Sequence, residues 1–250
     1  MKRFLVLFLM VAFISACGGG GGGSSSSTST PVTNQSLAGI WTGSFHSTVL
    51  NATYNVTGLV SETNIFRFLS LSTGGQYSGI ASVTGASFSS TMTGYSPTGT
   101  TFPNGTAVTS FKVSGNVSQG VALTGTYSGG GDAGTFAVNF NNAYNTPSSL
   151  TIISGNWSGT LNGSTINVAI SDSGIVTGSS TSGCTYSGNV STIDINYNCY
   201  NITITASSCG ASSGNYSGLA TLTETAKQYD TLLVGVSNAE NSVVMEAHRQ

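Results

Sequence analysis

Gly39-Ile40-Trp41-Thr42-Gly43-Ser44-Phe45 and Gly155-Asn156-Trp157-Ser158-Gly159-Thr160-Leu161 are one pattern written twice. In each copy Gly, Trp, Gly and a large apolar residue fall on alternate positions, which on a β-strand share one face. A ring set between two glycines suits the crowded end of a tight barrel. The two tryptophans are the only ones in the chain. Their separation implies two units of about 100 residues, a common domain size. The polar stretch Asn145-Thr146-Pro147 divides them.

Outward from these stretches the chain reads as short strands. Val, Ile, Leu, Phe and Tyr recur between Gly/Asn/Ser turns, and long runs of helix formers are missing. The second unit divides at 153–161, 164–171, 173–180, 183–190, 198–206, 213–224, 230–237 and 241–248. Ile166, Val168 and Ile170 share a face, as do Tyr200, Ile202 and Ile204, and Leu232, Val234 and Val236. Such alternation fits antiparallel sheet with one dry side. The first unit divides at 37–46, 51–60, 64–71, 76–84, 86–94, 106–114, 116–128 and 134–141, with Phe136, Val138 and Phe140 its clearest face. Short connections pair neighbours as hairpins, and eight meandering strands can close and so remove their edges. The expected fold is all-β: two tandem antiparallel eight-stranded up-and-down barrels, at 37–147 and 148–250. Two β-sandwiches would show the same periodicity.

Gly-x-Trp on an opening strand resembles the lipocalin and avidin (calycin) barrels. The resemblance implies that each Trp plugs one barrel end and that a late Arg packs on it. Arg249 is placed to meet Trp157, whereas the first unit has no Arg in the matching place.

Ahead of the barrels, Lys2 and Arg3 precede an apolar run from Phe4 to Ile14, then Ile14-Ser15-Ala16-Cys17. The run is an export signal by its order of segments and is shorter than the roughly 20 residues of a membrane span. The four residues resemble the lipobox of bacterial lipoproteins. That resemblance implies a signal peptide at 1–16, acylation of Cys17 and, since Gly rather than Asp follows, the outer membrane of a bacterial cell envelope. The alternative is an ordinary cleaved signal and a free Cys17. Acyl chains contribute about 0.8 kcal/mol per buried CH₂, so two or more hold stably. Residues 17–36, rich in Gly, Ser and Thr, read as a flexible tether with a mean span of about 20 Å.

Lipidation would leave Cys184, Cys199 and Cys209, and an extracytoplasmic location permits a disulfide. Cys184 shares parity with Tyr186 and Val190 and should point inward; Cys199 shares parity with Asn201 and Thr203 and should point outward. Side chains on opposite sheet faces do not meet the Cβ–Cβ spacing of about 3.8 Å. Cys184–Cys209 is therefore the expected pair, with Cys199 a leftover and exposed thiol. Three buried unpaired cysteines are the alternative.

Charge is sparse. Beyond the leader the basic residues are Arg67, Lys112, Lys227 and Arg249, against Glu62, Asp132, Asp172, Asp194, Glu224, Asp230, Glu240 and Glu246. Without a basic patch nucleic acid is a poor partner. Two histidines, His46 and His248, and scattered acids suggest no metal, no cofactor and no catalysis. Gly210-Ala211-Ser212-Ser213-Gly214 matches Gly-x-Ser-x-Gly but falls in a turn between strands, not on a strand–turn–helix elbow. Gly129-Gly130-Gly131-Asp132 reads as a hairpin turn rather than one unit of a calcium-binding repeat. Tyr54, Phe66, Phe68 and Tyr77 would fill a small barrel's core more readily than line a cavity. The expected protein is a lipid-anchored binding, structural or adhesion module, held to membrane and able to meet a protein or surface glycan. The alternative is a carrier of a small apolar ligand inside one barrel, which requires a hollow lumen.

Overall fold

A computed structural model describes residues 33–224 and 228–250; the leader and Cys17 lie outside the described residues. The described residues make one compact unit.

The first ring is built from β1 (Gly39–Ser47), β2 (Ala52–Val60), β3 (Ile65–Leu69), β4 (Gln76–Ile80), β5 (Ser82–Thr84), β6 (Ser87–Tyr95), β7 (Val108–Ser118), β8 (Ala122–Gly129) and β9 (Asp132–Asn141). All pairings are antiparallel, and β9 returns to β1. Both β4 and β5 pair with β6, so they form one stave of an eight-stave barrel. Their pairing lapses at Ile80 and Ala81, where Ser90 Oγ donates to the Ile80 carbonyl at 2.7 Å and Ala81 N–H donates to Asn64 O at 3.0 Å. The second ring, β10 (Gly155–Leu161), β11 (Ser164–Ile170), β12 (Ile175–Ser180), β13 (Thr185–Thr192), β14 (Tyr200–Ser207), β15 (Gly214–Thr223), β16 (Thr231–Ser237) and β17 (Ser242–Arg249), is a closed eight-stranded meander. The fold is two antiparallel barrels, and the sandwich alternative falls.

The duplicated stretches open both rings as β1 and β10. Trp41 and Trp157 are fully buried, and each indole Nε1–H donates at 3.0 Å to the carbonyl four residues back, on Leu37 and Ile153. Arg249 lies opposite Trp157 in the β10–β17 register, its guanidinium carbon 4.3 Å from the ring centroid. Phe140 holds the same register place opposite Trp41 and meets it edge-on at 5.3 Å. The missing arginine of the first ring is thus a phenylalanine.

Strand limits follow the expected ones except between β7 and β8. The turn expected near Gly115 lies at Gln119–Val121. Gly115 instead faces Gly125 across the ladder. There a Cβ on Gly115 would meet the Thr124 carbonyl at 2.1 Å, so this glycine admits a close strand, while Gly120, at φ +67°, makes the turn. Asn34, Gln35 and Ser36, expected to end the tether, hydrogen-bond to Gly85 and Gln119 of the first ring.

Three apolar clusters form. One fills each ring, and the third lies between the rings. In the third, Ile40, Leu59 and Leu69 of the first ring meet Leu219, Leu233 and Val244 of the second, with Tyr144 and Cys199. Cys199 points away from its own lumen as parity requires, but the exposed thiol expected there is corrected: the neighbouring ring covers it to 1% exposure. Burial drives its pKa up, with the Glu62 carboxylate adding to the effect.

Candidate functional site

The two lumens differ because their side chains differ. In the first ring phenyl groups lie on four of the inward glycines: Phe68 on Gly58, Phe66 on Gly79, Phe111 on Gly94 and Phe136 on Gly125. Phe45 touches Phe68, Tyr77, Tyr127 and Phe136 at centroid distances of 5.3–5.5 Å. The void left among these rings is about 20 Å³. Phe66, Phe68 and Tyr77 pack in the core as expected, whereas Tyr54 is half-buried and stands outside that cluster.

In the second ring Gly159, Gly178, Gly188 and Gly218 also face inward, but no aromatic ring covers them; an added Cβ would meet main chain of the next strand at 1.9–2.5 Å. These glycines let the wall bend tightly and leave the lumen unfilled. The result is a cavity of about 550 Å³, within the usual 300–1,000 Å³ of small-molecule sites. Val168, Tyr186 and Ile204 point inward yet are only half-buried, because they face this space. Ile166, Ile170, Val176, Ile202, Leu232 and Val234 complete a hydrocarbon wall.

Trp157 and Arg249 close one end. Arg249 donates from Nη1 to Ser154 O at 2.5 Å, from Nη2 to Ile152 O at 2.7 Å and from Nε to Tyr229 O at 3.3 Å. The opposite end is a mouth, rimmed by the turns after β10, β12, β14 and β16. Cys184–Cys209, the expected disulfide, spans this rim with Cα atoms 4.8 Å apart. Tyr216 donates to Ser212 O at 2.8 Å, so the Gly-x-Ser-x-Gly stretch is rim structure. Burial raises the Tyr216 pKa, and the nearby Glu240 carboxylate adds to that rise. The first ring supplies the rest of the rim through Thr73–Gly74 and Ser96–Thr100. Tyr95 of β6 ties the two together by donating to Asn238 O at 2.7 Å.

No protein-family model matches this chain, and no curated protein matches it in sequence. Among solved structures it is similar to Aeromonas veronii immune modulator A, with 10% identity over 88% of this chain and 97% of that one, at a TM-score of 0.38. A likeness of that size says nothing about activity.

The remaining candidates do not converge. His46 hydrogen-bonds Thr53 on the first ring and His248 approaches Thr231 on the second. Gly130 and Gly131, at φ +60° and +78°, make the two-residue turn of the β8–β9 hairpin. The Asp132 carboxylate is occupied there, accepting from Ser47 Oγ at 2.6 Å, Ala133 N–H at 2.8 Å and Tyr127 Oη at 3.2 Å. Among the described residues no three His, Cys, Asp or Glu side chains gather as a metal site. The wall residues of the hollow ring were legible as inward faces, but their emptiness was not read. Its signal lay in composition: none of the 11 phenylalanines falls beyond Phe140.

Proposed function

We propose that this chain is a lipid-anchored protein of a bacterial cell envelope, without catalytic activity, whose second barrel takes up one small apolar molecule. The observation that carries the reading is the cavity of about 550 Å³, hydrocarbon-walled below its polar mouth, beside a first barrel filled by its own rings. The calycin resemblance is supported by the Trp157–Arg249 closure of that barrel's far end. Outward strand positions are mainly Ser, Thr and Asn while inward ones are apolar, the reverse of a barrel that faces lipid. This supports a body in water, tethered through Cys17. The solid first barrel also supports a second role, a rigid neutral face for a protein or glycan partner.

Residues 18–250 contain the whole compact unit and need no detergent to test binding. N-phenyl-1-naphthylamine should brighten with one site per chain, and Ile204→Trp, which fills the lumen, should abolish the signal without altering far-ultraviolet circular dichroism. Equal brightening by wild type and Ile204→Trp would overturn carriage. Mass spectrometry of full-length protein from membranes should find an acylated Cys17 at the N-terminus; a plain thiol would overturn the anchor.

A further inference from the structure

Below the mouth the lumen wall is hydrocarbon, with the Met245 thioether and the Tyr186 and Tyr216 phenols, and the described buried polar atoms without a partner (Glu62 Oε2, Arg67 Nε and Gln76 Oε1) belong to the first ring, on its side toward the second, not to the lumen. A polar atom sunk past the Tyr186 and Tyr216 phenols, which stand beside the rim at Cys184 and Ser212, would find no side-chain hydrogen bond from the wall, at a cost of about 1–3 kcal/mol or more. The body of an occupant must therefore be hydrocarbon, with its polar end at the mouth.

The mouth has a sign. Its polar groups, among them Asn162, Ser164, Ser182, Asn241 and Ser242, are neutral, and Glu240 is the one lining residue that carries a charge at neutral pH. Glu240 sits in the turn between β16 and β17, where its main-chain N–H donates to Asn238 Oδ1 at 2.9 Å. Its charge is felt by Tyr216, which lines the same space. The described cations lie elsewhere. Arg249 caps the Trp157 end. Lys112 is on the outer face of β7. Arg67 is outside the lumen wall, donating to Ser217 O at 3.1 Å from the first ring. A carboxylate left at this mouth would meet the Glu240 charge and no cation among the described residues, only neutral donors; an ammonium would meet the Glu240 carboxylate.

Resting on the carrier reading, we infer that the second barrel takes single-tailed apolar molecules with a neutral or amine head and discriminates against fatty-acid anions, with Glu240 the residue that sets the preference. Like charges brought together at a binding surface weaken and redirect binding.

The test is displacement of N-phenyl-1-naphthylamine from residues 18–250 by dodecylamine, dodecanol and dodecanoate at neutral pH. Dodecanoate should bind about tenfold more weakly than dodecanol, corresponding to about 1.4 kcal/mol, and dodecylamine at least as tightly as dodecanol. Glu240→Lys, on an exposed turn, should invert the order of amine and carboxylate while leaving dodecanol unchanged. Dodecanoate as tight as dodecanol, or an order untouched by Glu240→Lys, would overturn the preference and leave the carrier reading standing. Failure of the dye and all three chains to bind would overturn the carrier reading itself.

Discussion

At the scale of single residues, the two tryptophans show how one local device tolerates two partners. Trp157 lies under a guanidinium and Trp41 against a phenyl edge, at the same register place. The arginine does more than cover a ring: its fork holds the carbonyls of Ile152 and Ser154, ends of the one-turn helix Leu150–Ile153 that leads into β10. Arg249→Ala should cost about 1–2 kcal/mol, from a partly exposed cation–π contact and charge-assisted hydrogen bonds. Arg249→Lys should recover little, since an ammonium cannot span both carbonyls. Urea unfolding of residues 18–250 measures both; a Lys variant as stable as wild type would mean that charge alone matters here. Arg249 over Trp157 was legible because the Gly-x-Trp pattern and a late arginine stand in sequence. Phe140 was not, because nothing in a lone phenylalanine marks it as the substitute for a cation until the β1–β9 register is known.

Among the elements, β16 carries both functions of the second ring, one on each face. Its inward residues Leu232, Val234 and Val236 line the lumen, while Leu233 and Gly235 face the first ring, and all seven residues are buried. A strand dry on both faces reads as a continuous apolar run, and Leu232-Leu233-Val234-Gly235-Val236 is one. Its inward half was legible from alternation. Its outward half was the overlooked sign that something covers this strand, as was Cys199, which parity placed outside and the other ring buries. A Cβ at Gly235 would come within 2.4 Å of Leu69 Cδ2 and 3.0 Å of Gln76 Oε1, both on fully buried residues. Adjacent substitutions should therefore separate. Gly235→Val should lose about 1–3 kcal/mol by overpacking yet keep dye binding in the folded fraction. Val234→Trp should keep most of the stability and lose the dye. Urea titration and dye fluorescence on the two variants check this, and loss of dye binding by folded Gly235→Val would contradict the two-face assignment.

For the whole molecule, the decisive fact is that two similar rings have been welded and not merely strung together. Alternation within each strand foretold the rings; their mutual packing depends on outward residues scattered over β1, β2, β3, β15, β16 and β17, and no short window of sequence contains it. The weld is both apolar and polar. Tyr144, in the connection between the rings, donates to Glu62 of the first at 2.5 Å and stacks on Tyr197 of the second at 4.8 Å, while Asn198 donates to Ala143 O and Leu222 O. Opening it would expose Leu59, Leu69 and Leu219, each at 0% exposure, and each such side chain is worth about 1.5–3 kcal/mol of burial. One ring should not survive long without the other's cover, so unfolding should be a single transition despite the duplicated plan. Each ring holds one tryptophan, which makes the point measurable. In Trp157→Phe the fluorescence reports Trp41 in the first ring, in Trp41→Phe it reports Trp157 in the second, and far-ultraviolet circular dichroism reports both rings in either variant. Within each variant the fluorescence and dichroism midpoints in urea should coincide. A tryptophan transition displaced from the dichroism of the same protein would show that the rings unfold separately, and the mouth, which takes part of its rim from the first ring, would then have no fixed shape once that ring let go.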